Sequence, residues 1–190
     1  MKVGLFFGSF NPIHIGHLII ADTLAANSDL AEVWLVISPH NPFKKRSTLL
    51  HAFDRYDMVD KATYDNHRLR PCDIEFHMPQ PSYTIDTLTY LQEKHPKKEF
   101  VLLMGSDNLV NFGKWKNYEQ ILHYYSIYVY PRPNIKETLF HTHPKVKMVE
   151  APLLDISATY IRNCVKEGKS IRYLVDEAVE ALIRRKKFYL

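Results

Sequence analysis

A chain of 190 residues that is 46% hydrophobic and 24% charged has an ordinary globular composition and is long enough to bury a core as one domain, 1–190, without staples. Its 25 basic and 21 acidic residues leave a net charge of +4, too small an excess for a nucleic-acid footprint. Cys72 and Cys164 stand in no metal-type spacing, no apolar run reaches the ~18 residues that would span a bilayer, and Met1-Lys2-Val3 leads straight into a strand, so a soluble, cytoplasmic protein with free thiols and no membrane partner is expected.

The apolar run Val3 to Phe7 reads as a strand, and Leu18 to Ala26 as a helix. Between them lies Gly8-Ser9-Phe10-Asn11-Pro12-Ile13-His14-Ile15-Gly16-His17, with two glycines, a proline and two histidines three apart. A strand-to-helix turn of this kind gathers backbone N–H groups and the positive end of a helix at one point, which suits an anion and above all a phosphate. Imidazole adds a compact hydrogen-bond donor that can become cationic as phosphate charge approaches. Rival phosphate fingerprints are absent: there is no Gly-x-Gly-x-x-Gly, and Gly168-Lys169-Ser170 has Asn163 where a P-loop would need its first glycine.

Glu32 to Ser38 is a short β-branched run of the kind that is buried on both faces of a parallel sheet. Pro39 to Arg46 follows as a loop whose Lys44, Lys45 and Arg46 form either a solvated turn or a cationic arm reaching the phosphates at His14 and His17, since loops after successive parallel strands gather at one sheet edge. Apolar residues at helical spacing predict a core-packing helix from Thr48 to about Asn66, Cys72 to Phe76 alternates as a strand, and Thr84 is a natural cap for a helix ending near Lys94.

Glu99 to Gly105 is a buried strand that ends on a glycine, followed by Ser106-Asp107-Asn108 opening a short helix. Asp107 suits the hydroxyls of a ribose, or a helix cap, or both; Gly105 leaves room for close backbone approach. Trp115 lies in a polar loop and is available either to the core or for stacking on a flat ring. Ser126 to Tyr130 and Val146 to Val149 read as further strands, and the stretch between them as surface, with a His141-x-His143 pair that lacks the partners of a metal site. Ser157 caps a helix whose apolar positions are Tyr160, Ile161 and Val165, and the hydroxyls of Ser157 and Thr159 in its first turn, with Arg162 one turn on, make a second anion site. The last helix, about Val175 to Lys187, completes a helical part from about 157 to 190 and ends in Arg184-Arg185-Lys186-Lys187, cations that complement its dipole.

His14-Ile15-Gly16-His17 resembles the His-x-Gly-His signature of a nucleotidyltransferase superfamily, and Ile156-Ser157-Ala158-Thr159-Tyr160-Ile161-Arg162 resembles that superfamily's second signature, Ile-Ser-x-Thr-x-x-Arg. Pro81-Ser82-Tyr83-Thr84 with Thr87-Leu88, and Met104-Gly105-Ser106-Asp107-Asn108-Leu109 followed by Phe112-x-x-Trp115, are similar to the nicotinate mononucleotide adenylyltransferase branch. The resemblance implies a Rossmann-like α/β fold, a mostly parallel sheet with helices on both faces. It implies adenylyl transfer from ATP to nicotinate mononucleotide, giving deamido-NAD and pyrophosphate, with Mg²⁺ carried by ATP and no resident metal.

It further implies roles by position. His14, His17 and Arg162 would be catalytic. Gly8, Ser9, Phe10, Gly16, Lys44, Lys45, Gly105, Asp107, Ser157 and Thr159 would bind ATP and its phosphates, although Asn41-Pro42-Phe43-Lys44-Lys45 departs from the family's Pro-Pro-His-Lys loop and leaves open which lysine meets phosphate. Ser82, Tyr83, Thr84, Trp115 and Lys116 would bind the mononucleotide. Nicotinamide mononucleotide or phosphopantetheine as acceptor, and a non-catalytic nucleotide sensor of the same fold, are the alternatives; a homo-oligomer is compatible with all of them.

Overall fold

The computed structural model describes residues 1–39, 49–133, 135 and 137–190. Among these residues six strands form one sheet in the order β3-β2-β1-β4-β5-β6, where β1 is Lys2–Gly8, β2 Glu32–Ile37, β3 Leu69–Cys72, β4 Glu99–Gly105, β5 Ser126–Tyr130 and β6 Val146–Met148. Every pairing is parallel, with Leu5 opposite Trp34 on one side and Leu102 on the other. Parallel neighbours require crossovers, and these are supplied by α1 (Ile15–Ala26), α2 (Ala52–Thr63), α3 (Thr84–Lys94), α4 (Ser106–Val110) and α5 (Tyr118–Tyr124), while α6 (Ala158–Lys166) and α7 (Glu177–Lys186) follow the sheet.

Side-chain alternation along the strands decides which helix packs where. On β4, Val101 and Leu103 enter one core with Ile20, Leu24, Met58, Val59, Ile161, Val179 and Leu182 from α1, α2, α6 and α7. Phe100, Leu102 and Met104 enter the other, with Leu88, Leu91, Leu109 and Ile121 from α3, α4 and α5. The sheet is thus covered on both faces, which explains why its central strands carry apolar residues at nearly every position. The expected Rossmann-like α/β architecture is present, with a sheet that is wholly parallel.

Three local expectations are corrected. Cys72 to Phe76 is not a strand: β3 ends at Cys72, and Ile74–His77 forms a 3₁₀ turn that buries Ile74 and the carboxylate of Glu75. Tyr83 rather than Thr84 occupies the cap position of α3, with no side-chain capping bond. Tyr160, expected on the apolar stripe of α6, is 58% exposed, the buried positions being Ile161 and Cys164. Ser157 does cap α6, its Oγ accepting the Tyr160 N–H at 3.2 Å. Both thiols are free, and among the described residues no helix is long and apolar enough to cross a membrane.

Candidate active site

Strand order reverses between β1 and β4, so the crevice beyond their carboxyl ends is where a doubly wound sheet admits a ligand. The turn after β1 and Gly105 at the end of β4 flank that crevice. Gly8 is required there because a Cβ would lie 2.7 Å from the Phe10 ring. Phe10 adopts φ 44 and is 1% exposed, its ring 5.1 Å from that of His17 in an edge-on contact. Phe10, expected among the phosphate-binding residues, has its ring buried against His17.

His14 occupies the N-cap of α1 in an extended conformation, and His17 lies one turn in. The His14 N–H donates to His17 Nδ1 at 3.3 Å. Because a backbone N–H can only donate, the neutral His17 ring must carry its proton on Nε2 and act there as a donor. The two imidazoles stack with centroids 3.6 Å apart and 27° between planes. Two cations at that separation would repel strongly. His14, only 6% exposed, is pushed down to about 4, first by burial and then by the Arg132 charge. In the ligand-free protein His14 is therefore neutral at pH 7, and it becomes cationic only when an anion offsets both effects. Gly16 leaves space for this ring, since a Cβ there would approach His14 Nδ1 to 3.1 Å.

His14, Gly16 and His17 line a small cleft together with Tyr130, Arg132 and Ile156. Sequence reasoning passed over Arg132, which lies between two prolines just after β5 and reads there as part of a chain stop. Its backbone N–H donates to Ser106 Oγ at 2.9 Å, its guanidinium lies 5.3 Å from the centre of the Tyr130 ring, and its Nε is 3.7 Å from Asp107 Oδ1. Asp107 sits in the first turn of α4 rather than at its cap, and Gly105 makes room for it: a Cβ at 105 would collide with the Asp107 carboxylate.

The second signature reaches the turn that leads into the first. Arg162 donates from Nη1 to the Asn11 carbonyl at 2.8 Å and from Nη2 to Thr159 Oγ1 at 3.0 Å. Arg162, bonded also to Thr159, thereby borders the turn that runs from Ser9 to His14. Arg55, also unforeseen, is completely buried and donates to the carbonyls of Leu50, Ser9, Ser38 and Pro39, tying the roots of the loops that follow β1 and β2. Burial pushes its guanidinium down to about 10. Lys44 and Lys45 lie outside the described residues.

Along the sheet edge, Glu75 anchors the segment expected to bind an acceptor. Its carboxylate accepts from Ser82 Oγ at 2.9 Å and Thr87 Oγ1 at 2.8 Å, and burial raises its pKa. Tyr83, 40% exposed, has Lys116 Nζ 4.4 Å above its ring, and Lys116 pairs with Asp86 at 2.9 Å. Trp115 is half-buried and meets Phe112 edge-on at 5.5 Å. The structure so gathers Tyr83 and Lys116 in one cluster, with Ser82 fixed by Glu75 and Thr84 opening α3 beside it.

A cytidylyltransferase-like family model matches residues 5–164. The chain is 61% identical over 189 residues to a Cytophaga hutchinsonii protein named "probable nicotinate-nucleotide adenylyltransferase", with 100% of this chain and 98% of that one covered. A Flavobacterium psychrophilum protein of the same name is 51% identical, with 100% and 99% covered. Among solved structures, a Plasmodium falciparum nicotinic acid mononucleotide adenylyltransferase complexed with NaAD superposes with a TM-score of 0.84 at 21% identity, with 99% of this chain and 97% of that one covered, a likeness of fold. The chain belongs to the cytidylyltransferase-like nucleotidyltransferases and, within them, to the nicotinate-nucleotide adenylyltransferase family.

Proposed function

We propose that the protein transfers the adenylyl group of ATP to nicotinate mononucleotide, releasing pyrophosphate and forming deamido-NAD, the step before amidation in NAD synthesis. The stacked His14–His17 pair at the start of α1 carries this reading: it follows the turn after β1, Arg132 lines the same cleft, and Arg162 bonds the Asn11 carbonyl of that turn. The names of the relatives across the full chain support the acceptor.

The mononucleotide phosphate is already ionised, so its oxygen attacks the α-phosphorus in line while the bond to pyrophosphate breaks; no covalent enzyme intermediate or general base is required. The protein contributes alignment and relief of developing charge. His17 donates from Nε2 and His14 shares a proton with the pentacoordinate phosphorus region as its charge grows. Ser157, Thr159 and Arg162 receive the leaving pyrophosphate, Asp107 and Gly105 the ribose, and Tyr83, Thr84, Trp115 and Lys116 the acceptor. Mg²⁺ carried by ATP would be held by phosphate oxygens and water and would supply charge neutralisation on the triphosphate; Asp107 is engaged by Arg132, and the described residues offer no cluster of carboxylates, histidines or thiols to cage the ion.

Pyrophosphate release from ATP, measured with nicotinate mononucleotide, nicotinamide mononucleotide and phosphopantetheine in turn, tests the proposal. Release with the first at far higher kcat/KM is expected. His17→Ala should lower turnover ~10²-fold, as loss of one preorganised donor does. Near-normal turnover in a folded His17→Ala protein would refute it.

A further inference from the structure

The turn that carries His14 does not hold itself. Phe10 is a non-glycine residue in the left-handed region, at φ 44, a conformation that persists only when surrounding contacts impose it. Asn11, next along, is 4% exposed and serves as the junction for those contacts. Its Oδ1 accepts from the Leu50 N–H at 3.3 Å and from the Tyr189 hydroxyl at 3.0 Å. Its carbonyl accepts from Arg162 Nη1. Two donors on the side-chain oxygen fix the orientation of the amide, and the same residue's carbonyl then sets where the Arg162 guanidinium points.

Tyr189 reaches this position by an unusual path. Lys187, the cap that follows α7, lies in the left-handed region, φ 53, with the Phe188 N–H returning to the Ile183 carbonyl at 3.1 Å. Tyr189 itself is at φ 68. Two left-handed non-glycine residues so close together are not selected by local preference, so the contacts of the tyrosine side chain must help maintain them. Its hydroxyl lies within electrostatic reach of Arg55 and Arg162, and burial holds its ionisation well above the usual tyrosine range, so it remains a protonated donor.

We propose that the Tyr189 hydroxyl is a positioning group for the phosphate site, acting through Asn11 on the orientation of Arg162. The inference rests on the reading above in that Arg162 receives pyrophosphate. Tyr189 touches no substrate; it fixes the carbonyl against which the guanidinium is aligned.

Tyr189→Phe in the full chain keeps the ring and removes one donor. Titration calorimetry with inorganic pyrophosphate on the wild type, Tyr189→Phe, Arg162→Lys and the double variant tests the coupling independently of turnover. The expected result is Kd for pyrophosphate raised about fivefold by Tyr189→Phe, the size of one lost hydrogen bond, with KM for the mononucleotide unchanged. In the Arg162→Lys background the same change should weaken binding less than about twofold, because the route runs through Arg162. Wild-type affinity in Tyr189→Phe, a lower melting temperature with unaltered pyrophosphate binding, or an equal loss in both backgrounds would overturn the proposal. A wild type that binds pyrophosphate with this coupling yet transfers no adenylyl group would sink the functional reading alone.

Discussion

Acidification should unfold this protein partly through one buried ring. His14 is 6% exposed and is held at about 4, below the ordinary histidine value of 6.5, by burial and by Arg132. The unfolded chain therefore binds a proton there before the folded chain does, and the neutral ring's stabilisation is complete above pH 6.5 and lost as the pH falls through 4. Each unit of difference corresponds to ~1.4 kcal/mol, and between about pH 7.5 and pH 5 the linkage amounts to about 2 kcal/mol. Urea unfolding at these two pH values should show that loss in the wild type, superimposed on the background from other groups. In His14→Gln, which cannot titrate, the loss over the same interval should shrink by about 2 kcal/mol. Identical pH dependence in both proteins would refute the reasoning, because it would mean that His14 takes up its proton equally in both states.

Two further outcomes follow from contacts at the strand ends. Arg132→Ala removes a cation from the cleft and should reduce kcat/KM for ATP roughly tenfold or more, the worth of a charge-assisted contact, while the His14 pKa, followed by NMR, rises; an unmoved His14 would contradict the placement of Arg132 beside it. Gly105→Ala puts a methyl against the Asp107 carboxylate and 3.2 Å from both the Arg132 side chain and the Tyr130 ring. Overpacking of that kind costs about 1–3 kcal/mol, so differential scanning calorimetry should show a melting temperature lower by several degrees, and KM for ATP should rise; a variant equal to wild type in both would show that Asp107 does not depend on the space Gly105 leaves.

The sheet was legible because its strands are buried on both faces and short, so Val3 to Phe7, Glu32 to Ser38, Glu99 to Gly105 and Ser126 to Tyr130 stand out as apolar runs whatever their neighbours. The segment after β3 was not: Ile74 and Phe76 alternate with acids as strand residues do, but the Glu75 carboxylate turns inward to meet Ser82 and Thr87, and no local rule foresees a buried acid with partners several residues away. The two signatures pointed to a candidate phosphate site because their residue types are themselves the chemistry, and the structure joins the turn before the first to the helix of the second through Arg162 and Asn11. Arg132, Arg55, Asn11 and Tyr189 stayed hidden because each acts through tertiary contacts: a cation in Pro131-Arg132-Pro133 or a tyrosine near Leu190 has no spacing that points to a partner on the first turn. Buried and bonded to four carbonyls, Arg55 is legible only once the loops it joins are folded.

The bonds that converge on Asn11 also bear on how the protein reaches its native state. Arg162 and Tyr189 are 151 and 178 positions away from it along the chain. Contacts of such separation are made only after intervening segments have collapsed, since closing the loop costs entropy before the contact returns anything. The central β1 strand can pair with β2 early, yet the turn at its end acquires its supports from the final helical part of the chain. Folding should thus pass through species with an ordered sheet and an unformed turn after β1, and amides of Ser9 to His14 should exchange with solvent by a lower-energy opening than those of Val3 to Phe6.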